Sequence, residues 1–245
     1  MTWTKLFLAP LAAGLLLLTG CTGGGEAPAA PTDKPGGETA TTGKKLKIGV
    51  SIPAADHGWT AGVVYWANEA KKEYPVVDFN IQTADTPQTQ ISQIETMMTA
   101  GLDGLVVLAT ESAPLTPIAE KVHERGIYLV NVDRGFLKDV ADVFVAGDNK
   151  AFGQKSAEFM VEKLGGKGKI LVLRGIPCTV DTDRFDAAMA VFKEKGIEVL
   201  DSQPGLWNKD KALEVTQAML VKHPKVDAIW ASDDDMAEGV EQALK

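Results

Sequence analysis

Only two cysteines, Cys21 and Cys178, occur in 245 residues. Two are too few for a disulfide framework, so a hydrophobic core has to hold the fold. Histidine is as scarce. His57, His123 and His223 are far apart, without the spacing of a zinc site, and no metal or other cofactor is expected. His123 shares a helical stretch with Lys121 and Glu124 and reads as an exposed residue. Positive charge is in deficit, 25 Lys and Arg against 33 Asp and Glu, for a net charge of −8. With no basic recognition helix ahead of the first strand, this excludes nucleic acid as a partner. Long apolar runs are missing after the first twenty residues, so nothing later in the chain reads as a membrane span. Catalytic signatures are missing too, with no Gly-x-Ser-x-Gly elbow and no Gly-x-x-x-x-Gly-Lys phosphate loop. The run Gly165-Gly166-Lys167-Gly168 follows a helix and precedes a strand, the wrong order for cradling phosphate, and reads as a turn.

What is present begins with an address. Residues 1–20 carry one charge, Lys5, and then an apolar run from Leu6 to Leu18. That run is shorter than the ~20 residues of a membrane span and has the form of a secretory h-region. It ends Leu18-Thr19-Gly20-Cys21, which resembles the lipobox of bacterial lipoproteins. That resemblance implies cleavage before Cys21, a diacylglyceryl group on its sulfur and an anchor in a membrane; the alternative is an ordinary cysteine beyond a cleavage site elsewhere. Residues 21–45, rich in Gly, Ala, Pro and Thr, have no apolar periodicity and read as a disordered tether. Cys178, left without a partner between Pro177 and Thr179, reads as inert.

From Leu46 onward strands alternate with helices, which calls for parallel sheets covered on both faces. Strands are expected over 46–52, 76–81, 104–108, 127–132 and 143–146, and helices over 59–72, 86–100 and 115–124. Thr86-Pro87 is an N-cap followed by a proline at the first helical position. The pattern then restarts, with helices over 152–164, 183–195, 209–222 and 236–244 and strands over 169–173, 197–200 and 226–231. The expected fold is α/β, with two Rossmann-like lobes over 46–146 and 147–245 and a cleft between them as the default binding site. Lys245 falls inside a helical pattern with no stop signal, and the second lobe has few strands. The expectation is a lobe incomplete at its C-terminal end; were 245 the natural end, exposed sheet edges would predict poor solubility.

The chain is organised around Ile127-Tyr128-Leu129-Val130-Asn131-Val132-Asp133-Arg134-Gly135. Its apolar part suits a strand buried on both faces, and its end places an acid and a base where open α/β sheets bind ligands. Carboxylate acceptors beside guanidinium donors suit a polyol, whose hydroxyls do both. The competing reading is a strand-end salt bridge at a surface turn.

Five stretches together resemble the type I periplasmic sugar-binding proteins, the ribose-binding branch of ABC-importer receptors, across the whole folded segment. They are Leu46 to Ser51, Asp103 to Leu108, Ile127 to Arg134, Ser202-Gln203-Pro204 ahead of Trp207, and Ala231 to Ala237. The resemblance implies a hinged binder that closes on a monosaccharide or polyol and hands it to an ABC permease. It makes Asp133 and Arg134 sugar-hydroxyl ligands, Trp59 and Trp207 stacking aromatics, and Asp56, Arg184 and Asp233 further contacts. Leu108 stands where ribose binders carry an amide, with Glu111 close enough to replace it, and Asp233 stands where they carry Asn; both departures argue against simple ribose. Tryptophan faces would cover the apolar face of a sugar ring and charged groups its polar rim, although core packing is the competing reading of each Trp. In Asp233-Asp234-Asp235, Asp234 or Asp235 is expected to cap the last helix and Asp233 to face the cleft; the run lacks the spaced acids of a calcium loop. The implied function is extracytoplasmic solute capture for an importer. The alternatives are ligand sensing for a membrane kinase or chemoreceptor and, with no nucleophile–base pair to support it, an enzyme acting on sugar.

Overall fold

The computed structural model describes residues 44–245. The leader, Cys21 and the tether up to residue 43 lie outside the described residues. The first sheet is parallel throughout, in the order β2-β1-β3-β4-β5, from β1 (Leu46–Pro53), β2 (Val77–Ala84), β3 (Gly104–Val107), β4 (Tyr128–Val132) and β5 (Val143–Val145). Side chains alternate across its pleat. Leu105, Val107 and Leu129 pack with α2 (Pro87–Thr99) and α3 (Ser112–Glu124), whereas Val50, Ile52 and Leu108 pack with Val63, Val64 and Ala67 of α1 (Gly58–Glu73).

From β5 the chain passes through Ala146-Gly147-Asp148 into α4 (Asn149–Lys163) and a second parallel sheet, in the order β7-β6-β8. Its strands are β6 (Lys169–Arg174), β7 (Glu198–Pro204) and β8 (Ala228–Ala231). Ile170 and Val172 face α4 and α5 (Thr179–Lys195); Leu171 and Leu173 face α6 (Lys209–Lys222) and α7 (Asp234–Ala243). All four are fully buried, as an apolar strand between two helical layers should be. The fold is thus α/β with two Rossmann-like parallel sheets. Among the described residues no helix is long and apolar enough to cross a membrane.

Local chemistry sets most of the helix ends. Thr86 accepts from the Thr89 N–H at 3.2 Å with Pro87 opening α2. Asp148 and Asn208 cap α4 and α6 in the same way. Gly196 ends α5 with φ +74°, a left-handed backbone that costs glycine nothing. Most boundaries shift from expectation by at most two residues and five by three or four, among them the end of β2 at Ala84 rather than Ile81 and the start of α4 at Asn149 rather than Phe152. Helix α3 begins at Ser112 rather than Leu115, because Pro114 falls in the first turn, where no N–H is needed. Helix α5 begins at Thr179 rather than Asp183, its first turn closed by Thr182 N–H to the Cys178 carbonyl at 3.1 Å. Strand β7 runs to Pro204 rather than Leu200, since as an edge strand it can end on a proline while still pairing with Arg174.

Candidate functional site

The carboxyl ends of β1, β3 and β4 face loops of the second sheet across a cavity of about 880 Å³. Ile52, Leu108 and Val132 form apolar lining on one side and Val180 on the other. At the end of β4, Asp133 has φ +60°, a strained left-handed value for a residue with a side chain. Two short bonds hold that turn, Asp133 N–H to the Val145 carbonyl and Arg134 N–H to the Val132 carbonyl, both 2.7 Å. Burial raises the Asp133 carboxyl above the usual carboxylate range, opposed by the Arg134 and Arg184 charges, the Trp59 indole N–H and His57.

The surface salt-bridge reading of Asp133-Arg134 fails. Arg134 is 3 % exposed, and its Nη1 donates to the Ala109 and Thr110 carbonyls at 3.3 Å. Among the described residues no carboxylate lies within 4.0 Å of its guanidinium nitrogens, so part of a buried donor fork is unspent. Burial lowers its pKa, countered by Cys178, Asp133 and Asp56.

The second sheet contributes a matching cation. Arg184, in the second turn of α5, donates from Nε to Asn149 Oδ1 at 2.9 Å and from Nη1 to the Ser232 carbonyl at 2.8 Å. Its guanidinium lies 4.1 Å from the Phe152 ring centroid and 5.6 Å from that of Trp207. Here α4 and α5 touch: a Cβ on Gly153 would stand 2.1 Å from the Arg184 carbonyl oxygen. Burial lowers the Arg184 pKa, and Asp133 and Asp233 act against it.

The acidic run corrects one expectation. Asp233 itself caps α7, accepting from the Met236 N–H at 2.9 Å, and also lines the cavity. Its carboxyl is raised by burial, with the Met236 N–H opposing. Asp234 is the first residue of the helix, and Asp235 accepts from the Gly58 N–H at 3.2 Å, a bond from α7 to the start of α1.

Not every expected residue shares the main cavity. Trp59 lines it and is 53 % exposed. Trp207 lines it too but is 4 % exposed, packed into the core beneath α6 and α7; its ring lies so close to Gly175 that a Cβ there would stand 1.9 Å away. It is a wall, not an open stacking platform. Asp133 lines an adjoining recess of about 340 Å³. Asp56 and Glu111 line another of about 180 Å³, shared with Arg134, Trp207 and His57. The sequence reading missed His57, Trp66 and Phe152, all on the main lining. His57 sits between two expected contacts, Asp56 and Trp59, in the first strand-to-helix loop.

Further hydrogen bonds join the two sheets' loops. Gly135 N–H donates to Thr179 Oγ1 at 2.7 Å, Thr179 N–H to Ser112 Oγ at 3.1 Å and Ser112 N–H to the Pro177 carbonyl at 3.4 Å. The cavity thus offers donors, acceptors and aromatic carbon between two sheets connected through Ala146-Gly147-Asp148, a chemistry suited to enclosing a small polyhydroxylated molecule.

Comparison with known proteins agrees in kind. The profile of the periplasmic binding protein domain matches residues 48–245. The chain is 24% identical over 201 residues to the ribose import binding protein of Bacillus subtilis, covering 82% of this chain and 66% of that protein. It is 31% identical over 167 residues to the D-allose-binding periplasmic protein of Escherichia coli, covering 64% and 54%. It therefore spans about half to two thirds of the length of these curated relatives, both of them binding proteins. Among solved structures it resembles the fructose binding periplasmic domain of a hybrid two component system, with TM-score 0.77 and 30% identity over 81% of this chain and 67% of that one. The chain belongs to the periplasmic binding protein family, in its type I sugar-binding branch.

Proposed function

We propose that this chain is an extracytoplasmic receptor that captures a sugar or polyol between lobes 46–146 and 147–245 and delivers it to an ABC importer. Cys21 serves as its lipid anchor and residues 21–45 as its leash. The observation that carries the reading is the pair of guanidiniums, Arg134 and Arg184, held by backbone and amide oxygens in an interlobe cavity and bonded to no carboxylate among the described residues. A cation already paired has little to offer a neutral ligand; these keep donors for hydroxyls. Asp133 and Asp233 supply acceptors and Trp59, Phe152 and Trp207 apolar contact. The ligand docks on the Asp133-Arg134 lobe, the Trp207-Asp233 lobe folds over it, and contacts made only in the closed state drive closure. Leu108, in place of the amide of ribose binders, favours a ligand other than ribose. No catalytic step is assigned: burial pushes the Cys178 thiol up, which leaves it a poor nucleophile.

A second reading, ligand sensing for a membrane kinase, draws on the likeness to the fructose-binding domain of a two component system. The experiment is a thermal-shift screen of the full chain with D-ribose, D-allose and D-fructose. A ligand at 100 times its Kd adds ~2.7 kcal/mol of stability. A shift with one sugar, lost in Asp133→Ala, supports the receptor; no shift with any of them in a folded chain refutes the sugar reading. Loss of uptake on gene deletion separates importer from sensor, for which a transcriptional response would be lost instead.

A further inference from the structure

His57 lines the cavity and hydrogen-bonds within its own loop. Its side chain is 8 % exposed, although it sits in a loop. Nδ1 lies 2.7 Å from Asp56 Oδ1 and 3.2 Å from Thr60 Oγ1. An ionised carboxylate only accepts, so the proton of the neutral ring is on Nδ1. The Thr60 hydroxyl then gives its own hydrogen elsewhere, to Asp56 Oδ1 at 3.3 Å or to the His57 carbonyl at 3.1 Å. In that neutral tautomer Nε2 is a bare acceptor, and it has no hydrogen-bond partner among the described residues. His57 lines both the main cavity and the recess that holds Asp56 and Glu111, with Arg134 bordering the two. Asp56, 62 % exposed at its side chain, holds His57 Nδ1 and lines the recess, while His57 reaches both spaces.

We propose that Asp56 positions His57 as its Nδ1–H tautomer, so that Nε2 accepts a hydrogen bond from one hydroxyl of a neutral polyhydroxylated ligand in the cleft. This rests on the cleft being the binding site, and it assigns a specificity-determining role to a residue that the family resemblance did not single out. The arginines can only donate and the ionised carboxylates only accept charge-assisted bonds; His57 adds a neutral acceptor with one lone pair and a fixed direction. Such a group selects for a hydroxyl at one ring position and against its deoxy counterpart, because an unmatched polar atom in a closed site loses its water without replacement.

The test is imidazole 15N NMR on the full chain, with and without D-ribose, D-allose and D-fructose. In the free protein His57 should show the Nδ1–H pattern, and Asp56→Ala should move it towards the Nε2–H tautomer. The sugar that binds should shift the Nε2 resonance. Asp56→Ala and His57→Phe should each weaken that sugar about tenfold, the loss of one hydrogen bond. Asp56→Asn, whose side-chain oxygen still accepts from Nδ1–H, should recover most of the Asp56→Ala loss; a merely structural Asp56 would change melting and leave the ring pattern alone. An Nε2–H pattern in the free wild-type chain overturns the proposal. So does an Nε2 resonance that stays put while the Trp59 indole signal responds to sugar, an outcome that leaves the cleft reading intact. If no resonance responds to any of the three sugars, the cleft reading fails and this role fails with it.

Discussion

Replacing Thr179 with valine should weaken ligand binding without touching the ligand. Thr179 Oγ1 accepts the Gly135 N–H at 2.7 Å, a bond from α5 of one lobe to the turn after β4 of the other. Valine keeps the β-branched shape and the backbone N–H that reaches Ser112 Oγ at 3.1 Å, so it removes only the acceptor. In an open form Gly135 N–H would face water and lose nothing. On closure it would meet a methyl group and be left unpaired, at a cost of about 1–3 kcal/mol. That cost falls on the closed state alone, so it appears in the affinity, raising Kd roughly 5- to 150-fold. Isothermal titration with the sugar found in the thermal-shift screen measures it, and the ligand-free melting temperature reports separately on the fold. An unchanged Kd would refute the reasoning: either the Gly135–Thr179 bond is made before ligand arrives, or closure is not part of binding.

Other substitutions test other parts. Burial raises the carboxyls of Asp133 and Asp233 from 3.8, so the folded chain keeps those protons to higher pH than the unfolded chain does. Their effect on stability is therefore most favourable below about 4 and is lost as pH rises through the folded values. Asp133→Asn should flatten that fall, giving a higher ligand-free melting temperature at pH 7 than wild type while sugar binding is lost; melting curves between pH 3.5 and 7 decide it. Gly153→Ala should cost about 3 kcal/mol in urea unfolding, since its Cβ would press on the Arg184 carbonyl oxygen and part α4 from α5. Cys178, 4 % exposed with its thiol pushed up by burial, should resist iodoacetamide in the native chain and react in urea, as peptide mapping would show.

Much of the fold was legible because its signals are local. Alternating apolar runs and the Thr86-Pro87 start need no distant partner to be read. The boundaries that slipped depended on something non-local: β7 continues to Pro204 because β6 lies beside it, and α5 starts early because Asp181 folds back onto Arg174 and the Gly175 N–H at 2.6–3.0 Å. At the site, the residue types were readable and their partners were not. Asp233 was expected in the cleft and lines it, but nothing in three successive aspartates says which one caps the helix; that follows from where the extended backbone of Asp233, φ −157°, gives way to α7. Trp207 matches a stacking aromatic by resemblance, with core packing as the competing reading. Its left-handed backbone, φ +58°, instead sets the ring against Gly175, 32 residues earlier in the chain.

By itself the sequence determined the α/β class, the order of strands and helices and the family, since periodicity, caps and motif order are written along the chain. Only the tertiary structure decided that Arg134 and Arg184 line one cavity without carboxylate partners among the described residues. It alone decided, too, that Thr179, Ser112 and Gly135 bond across the cleft. Those facts depend on atoms from residues 24 to 67 positions apart coming within hydrogen-bond distance, and no local pattern carries that information.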